Sequence, residues 1–186
     1  MNATPSAAVS VTITSSTPGI ATVSSDPAVA GTSSVTFTNI TSSTPAFYIQ
    51  GLSMGTATFT ISASGYTDSV IHVTVNPSGF ITSSNSFTSS VGVDTMLTVQ
   101  SGLLDPNTLA FVTLQSVRGG LTVQVPLTSS TPATGTITTP VPFAANQAAG
   151  TATFHAVAAG TSTLSVGTPS GFSTPSNRTA IVATVQ

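Results

Sequence analysis

Apolar and hydroxyl-bearing residues alternate along most of this chain, and a period of two is typical of a β-strand with one buried face. Residues 9–14, for example, read Val-Ser-Val-Thr-Ile-Thr. The pattern predicts strands at residues 9–14, 35–37, 57–61, 70–75, 121–125, 152–157, 163–166 and 180–185. Clusters of turn-forming residues predict turns at 15–19, 76–79 and 118–120. Many short strands separated by Gly and Pro predict an all-β sandwich.

The chain repeats its own pattern with the order of the segments kept. The matching pairs are residues 11–18 with 125–132, 55–62 with 160–167, 65–67 with 171–173, and 71–75 with 181–185. The spacing within a pair varies from about 105 to 114 residues, as expected when loops differ in length. We therefore predict two copies of one domain, at residues 1–76 and 77–186.

The two copies differ at their start. About 44 residues precede the strand at 121–125 in the second copy, whereas about six precede the equivalent point in the first. We predict that the first domain lacks its opening strand or strands. Two explanations stay open: a sequence cut from within a longer array, or an edge that is supplied in some other way.

The composition is unusual because charged residues make up only 3% of the chain, against about 25% in an average globular protein. Ser and Thr fill about a third of the positions, while 39% are apolar, which is too many for a disordered chain. The net charge of −2 argues against nucleic acid as a partner. No apolar run is long enough for a membrane helix, so we predict no membrane insertion within these residues. A signal and an anchor are expected outside them.

Three sequence features resemble the bacterial immunoglobulin-like repeats of surface proteins, the invasin and intimin type among them. The first is a strand followed by Ser-Ser-Thr-Pro-x-x-x-Thr-Val, at 9–23 and, more loosely, at 121–137. The others are the Gly-Thr-x-Thr-x-Thr/Ser strand at 55–60 and 160–165, and the Gly-Tyr/Phe-Thr/Ser turn at 65–67 and 171–173, which is followed by a closing strand that ends in Thr-Val. The resemblance implies two tandem immunoglobulin-like β-sandwich domains in an extracellular, cell-surface protein. In that family the repeats form rigid rods, and some bind a receptor. This chain departs from the family in its near absence of charge.

Catalytic groups are scarce, since the chain has four carboxylates and two histidines. If Ile71 and Val73 face the core, His72 between them faces solvent, and the same alternation turns His155 outward beside Phe154. A general base needs an orienting partner and a substrate within reach, and neither histidine has one in the pattern. No Gly-x-Ser-x-Gly segment occurs. We predict that the protein is not an enzyme and has no cofactor.

Metal binding has one weak candidate pair, Asp105 and Asn107. Calcium takes six to eight oxygen ligands with several carboxylates, and no second acidic residue stands nearby. Asp followed by Pro is favoured at the start of a type I turn, so a turn is the better interpretation. The chain has no Cys, and no set of zinc ligands is recognisable.

Partner contacts are predicted at Tyr48, Asp94, Asp105 and Asn107. Tyr48 follows Phe47 in a strand-like run, so one of the two rings faces outward. We interpret residues 94–107 as an irregular loop found only in the second domain. Tyr66 is replaced by Phe172 in the other copy, which favours a structural role for that ring.

Two functional hypotheses from different classes follow. The first is a non-catalytic spacer segment of a bacterial surface protein, with neighbouring immunoglobulin-like domains as its partners. The second is an adhesive module that binds a host protein, a glycan or a neighbouring cell. In a variant of the second, strand donation to the incomplete first domain builds a filament.

Overall fold

The computed structural model describes residue 5 and residues 7–42 and 45–186. Those residues form strands, turns and loops only, as the alternating pattern predicts. With no helix in the described part of the chain, no helix there could cross a membrane. The prediction of an all-β protein is confirmed.

The chain divides into two compact units. We call them unit 1, which comprises residues 1–76 and 118–120, and unit 2, which comprises residues 77–117 and 121–186. The described residues of unit 1 form six strands: β1 (Val9–Ser15), β2 (Ala21–Ser24), β3 (Ser34–Ile40), β4 (Tyr48–Gly51), β5 (Gly55–Ala63) and β6 (Ser69–Val75).

Unit 2 contains eleven strands: β7 (Ser78–Thr82), β8 (Phe87–Ser89), β9 (Asp94–Leu104), β10 (Phe111–Leu114), β11 (Val123–Val125), β12 (Leu127–Ser129), β13 (Gly135–Ile137), β14 (Val141–Phe143), β15 (Ala149–Ala156), β16 (Gly160–Val166) and β17 (Ala180–Val185). β11 and β12 are one strand interrupted at Pro126, which cannot donate a ladder hydrogen bond.

Equivalent strands have the same neighbours in the two units. One sheet of unit 1 has the order β3-β1-β5-β6, and the other pairs β2 with β4. In unit 2, β14 pairs with β11, β12 with β16 and β16 with β17, while β13 pairs with β15. The sequence repeat therefore corresponds to a repeat of sheet topology.

Unit 2 has further strands at two sheet edges. β8 lies parallel beside β17, and β9 lies antiparallel beside β15. Within the described residues, no strand of unit 1 occupies the matching positions beside β6 and β4. These two positions are called the β6 edge and the β4 edge below.

Each unit buries one apolar face of each of its two sheets against the other. In unit 1, β1 and β5 contribute Ile13 and Phe59 to the core, and β2 contributes Val23, all with no exposed surface. In unit 2, Phe154 of β15 and Leu164 of β16 share a cluster. Both units are thus two-layer β-sandwiches, in which alternate residues point inward.

The turn before the last strand of each unit depends on a glycine. Gly65 and Gly171 have φ angles of +82° and +85°, in the left-handed region that glycine adopts without strain. They occupy the same place in the matched turn before the last strand of each unit. The turn predicted from the Gly-aromatic pattern is therefore built alike in both copies.

Most element boundaries differ from the sequence prediction, and three differences change how a segment is interpreted. Residues 76–79, predicted as a turn, include the start of β7 at Ser78. The strand predicted at 121–125 begins only at Val123. Residues 94–107, interpreted as an irregular loop, contain the 11-residue strand β9, because the alternation of Met96, Leu97, Thr98 and Val99 extends through it.

Candidate interaction surfaces

The repeated Ser-Ser-Thr-Pro unit has a structural role in both units. The first serine hydroxyl donates a hydrogen bond to a carbonyl of the opposite sheet, from Ser15 Oγ to Ala21 O at 2.7 Å and from Ser129 Oγ to Gly135 O at 2.6 Å. A hydroxyl held between two sheets is directed into the fold and away from a ligand. This motif therefore gives no candidate nucleophile.

The second serine of the unit caps the neighbouring strand in the same way in both copies. Ser16 Oγ accepts a hydrogen bond from Thr58 N at 3.2 Å, and Ser130 Oγ accepts one from Thr163 N at 2.9 Å. Both serines are exposed, yet each has its hydroxyl engaged by backbone. The Ser-Ser-Thr-Pro unit thus joins the end of one strand to its neighbour, β5 in unit 1 and β16 in unit 2.

His155 has a hydrogen-bond partner that the sequence pattern did not indicate. Asp94 stands directly opposite it in the β9–β15 ladder, and Asp94 Oδ1 lies 2.7 Å from His155 Nδ1. The side chains remain 48% and 60% exposed, so water screens the pair and its contribution to stability is small. Thr136 is the ladder partner of His155 on β13. No hydrogen bond joins a hydroxyl to this histidine in the described part of the chain, so the arrangement lacks an activated nucleophile.

His72 lies on the exposed face of β6, as predicted from alternation. Its Nδ1 is 3.2 Å from the hydroxyl of Thr58 on the adjacent strand. No carboxylate orients it in the described structure. The two histidines therefore belong to different units and different local networks.

Asp105 forms the turn that its sequence context predicts. Its Oδ1 accepts hydrogen bonds from Asn107 N at 3.0 Å, Thr108 N at 2.8 Å and Thr108 Oγ1 at 3.0 Å. These donors stabilise the carboxylate, and the backbone donor of Thr108 contributes most to lowering the pKa of Asp105. In the residues with described positions, no group of three or more His, Cys, Asp or Glu side chains could hold a metal ion.

The aromatic positions follow the predicted division between inside and outside. Tyr48, the first residue of β4, is 39% exposed, while Phe47 before it packs against the unit 1 core. Phe172 packs on Phe80 with ring centroids 4.8 Å apart. Tyr66, its counterpart, is half-buried.

The predicted contact residues do not form one site. Within unit 2, Asp94 begins β9, whereas Asp105 and Asn107 follow its other end, a distance of about 35 Å at a rise of about 3.3 Å per residue. Tyr48 lies in unit 1. Asp94, Asp105 and Asn107 thus have separate structural surroundings.

Exposed apolar side chains on unit 2 were missed by the sequence reasoning. Met96 is 72% exposed on β9, and Val91, Val93 and Val157 are 53%, 49% and 52% exposed. The last three are neighbours, because Ala156 O accepts from Gly92 N at 2.9 Å. Alternation along β9 could have identified Met96, since it shares the outer face with Asp94.

A polar cleft of about 390 Å³ lies between the segment 82–86 and Arg178 in unit 2. The Arg178 guanidinium carbon stands 5.3 Å from the centroid of the Phe111 ring, a cation–π geometry. The hydroxyl and amide groups that line the cleft belong to Thr82, Ser83, Ser84, Asn85 and Ser86. Sequence reasoning gave no signal for this cleft, because its two sides are far apart in the chain.

Comparison with known proteins gives matches to solved structures only. No protein-family model matches the chain, and no curated protein matches it. Domains 4 and 5 of the S-layer protein SbsC are 19% identical, with a TM-score of 0.42, over 94% of this chain and 70% of theirs. A longer SbsC structure, residues 31–844, is 19% identical over 95% of this chain and 20% of its own length, with a TM-score of 0.43. The D0-D1 domain of intimin is 15% identical over 98% and 82%, with a TM-score of 0.32.

Proposed function

We propose that this chain is a non-catalytic structural segment of a bacterial surface protein, composed of two tandem immunoglobulin-like domains at residues 1–76 and 77–186. The observation that carries the proposal is the repeat itself. The repeated polar motif, Ser-Ser-Thr-Pro, makes equivalent hydrogen bonds within each sandwich. A repeat that keeps the hydrogen bonds of the fold, and keeps no set of residues that could bind a ligand, is typical of spacer modules.

The surface chemistry supports the same role. Few charges and many hydroxyls make the exterior insensitive to salt and to pH near neutrality, since the formal net charge is only −2. The partners of such a segment would be neighbouring immunoglobulin-like domains, and its location would be extracellular.

Single-molecule pulling of the full chain tests the spacer proposal. A load-bearing segment should give two unfolding events, because each unit has its own core. Full extension of residues 1–76 and of residues 77–186, which are 76 and 110 residues, would release about 27 nm and about 40 nm at ~3.6 Å per residue, less the folded length. A chain that extends without resolved unfolding events would contradict a mechanical role.

A second candidate is an adhesive module on unit 2. Met96 and the valine cluster of Val91, Val93 and Val157 are the specific observation that favours it, because exposed apolar side chains next to polar groups are typical of contact surfaces. The ligand could be a host protein, a glycan or a neighbouring cell. Binding of the chain to host cells or glycans that is lost in Met96→Asp, and kept in Val182→Asp on another strand, would support adhesion over the spacer role.

A further inference from the structure

The β6 edge of unit 1 leaves inward-facing residues incompletely covered. Ile181, Ala183 and Val185 of β17 are 8%, 0% and 2% exposed. The equivalent residues of β6, Ile71, Val73 and Val75, are partly exposed although they face the core. The sequence positions match one for one, so the difference lies in the neighbours that each strand has.

The other edge of the same sheet, at β3, shows the same deficit. Val141 and Phe143 on β14 are both 1% exposed, and Phe80 of β7 covers them with its ring 4.9 Å from that of Phe143. Their counterparts by ladder register on β3, Phe37 and Ile40, are partly buried. Among the residues with described positions, the unit 1 core has six buried apolar residues and twelve partly buried ones, while the clusters of unit 2 have ten and seven buried residues with three and two partly buried.

One continuous segment of unit 2 supplies the strands beside β17 and β15 that unit 1 lacks at the β6 and β4 edges. Residues 87–104 first form β8 beside β17 in one sheet and then β9 beside β15 in the other. Phe87 packs against Phe154 with ring centroids 5.6 Å apart, and Leu97 and Val99 are 3% and 1% exposed. A single strand pair therefore closes both sheets of this sandwich.

We propose that unit 1 is an acceptor for an extended segment with the pattern of residues 87–104, which adds one strand at the β6 edge and another at the β4 edge. Main-chain hydrogen bonds to the free edges would give affinity, and alternate apolar side chains entering the partly covered core would give specificity. The segment is uncharged apart from Asp94, as suits an acceptor with so few charges. This inference rests on the shared topology and is independent of the surface location proposed above.

The donor is a segment outside residues 1–186. Each copy of the chain offers one set of β8 and β9, which its own unit 2 already uses. If a second copy donated this set, its unit 2 would open and one acceptor per copy would stay empty. Exchange between identical copies would therefore occupy one acceptor edge and leave another empty. This argues against a filament built from these residues alone.

Titration of the full chain with a synthetic peptide of residues 87–104 tests the acceptor. Tyrosine emission reports on unit 1 because Tyr48 and Tyr66 are the only tyrosines and the chain has no Trp. We expect saturable binding and, in hydrogen–deuterium exchange, new protection at β4 and β6. The matched control is a pair of peptides with equal charge, Leu97→Asp with Val99→Asp on the inward face and Met96→Asp with Thr98→Asp on the outward face.

The inward-substituted peptide should bind at least about tenfold more weakly than the outward-substituted one, because it would bury two carboxylates. Three results would overturn the proposal. They are no saturation up to about 1 mM peptide, equal binding of the two substituted peptides, or loss of protection in residues 94–104 that shows exchange into unit 2. All substitutions are in the peptide, so misfolding of the protein cannot imitate a negative result.

Discussion

Ser162 offers a sharp test of how the repeat is stabilised. It is 1% exposed, and its Oγ lies 2.7 Å from Ser129 Oγ and accepts a hydrogen bond from Thr131 N at 3.1 Å. The equivalent residue of unit 1 is Ala57, which is 2% exposed. Ser162→Ala therefore converts unit 2 to the arrangement that unit 1 already has.

The expected cost follows from the contacts that are lost. Ser129 keeps its hydrogen bond to Gly135 O, and the backbone of Thr131, an exposed residue, can bond to water instead. Removing the two shorter hydrogen bonds of Ser162, together with the longer 3.5 Å contact between Ser162 Oγ and Ser130 Oγ, should thus destabilise unit 2 by about 1–2 kcal/mol, less than a buried polar group left with no partner would cost. The reciprocal Ala57→Ser adds a hydroxyl next to Ser15, so we expect a change within about 1 kcal/mol.

Urea unfolding followed by far-UV circular dichroism measures these free energies, and tyrosine emission follows unit 1 separately. Ala152→Ser is the control, since Ala152 is 2% exposed in an apolar cluster and a hydroxyl there should cost about 1–3 kcal/mol. The reasoning is refuted if Ser162→Ala stays within about 0.5 kcal/mol of the wild type, or if Ala57→Ser is as costly as Ala152→Ser.

Three other predictions concern packing, a buried amide and pH. Phe154→Ala empties a fully buried site and should cost about 3–5 kcal/mol by calorimetry, whereas Val182→Ala on the surface should change stability by under about 0.5 kcal/mol. Gln50→Ala removes hydrogen bonds of 2.9 Å and 2.8 Å to Gly31 N and Val29 O and should cost about 1–3 kcal/mol; an unchanged tyrosine-detected midpoint would contradict this. The pKa of Asp105 is lowered by its turn donors, so its stabilisation is present above the unfolded-state pKa and is lost as pH falls through the folded-state value. An NMR titration midpoint at or above about 3.9 would be the opposite result.

The candidate sites were predicted less completely than the strands. Alternation placed His72 outward and one of the rings of Phe47 and Tyr48 outward, and the Asp-Pro dipeptide assigned a turn to Asp105, since these features depend on neighbours in the chain. The Asp94–His155 pair and the Arg178–Phe111 contact each join strands or loops more than 60 residues apart in sequence. Contacts of that kind depend on sheet register, which one sequence does not supply.

The all-β fold, the repeat and the hydroxylated, nearly uncharged surface could all be read from the amino-acid sequence. Each of these follows from composition or from a period of two, which are local properties of the chain. The folded structure was needed to find that residues 87–104 add a strand to each sheet of one sandwich and that inward-facing residues of β6 in unit 1 stay partly exposed. Burial depends on which strand becomes the neighbour across a sheet edge, and pairing between distant segments is a property of the folded chain.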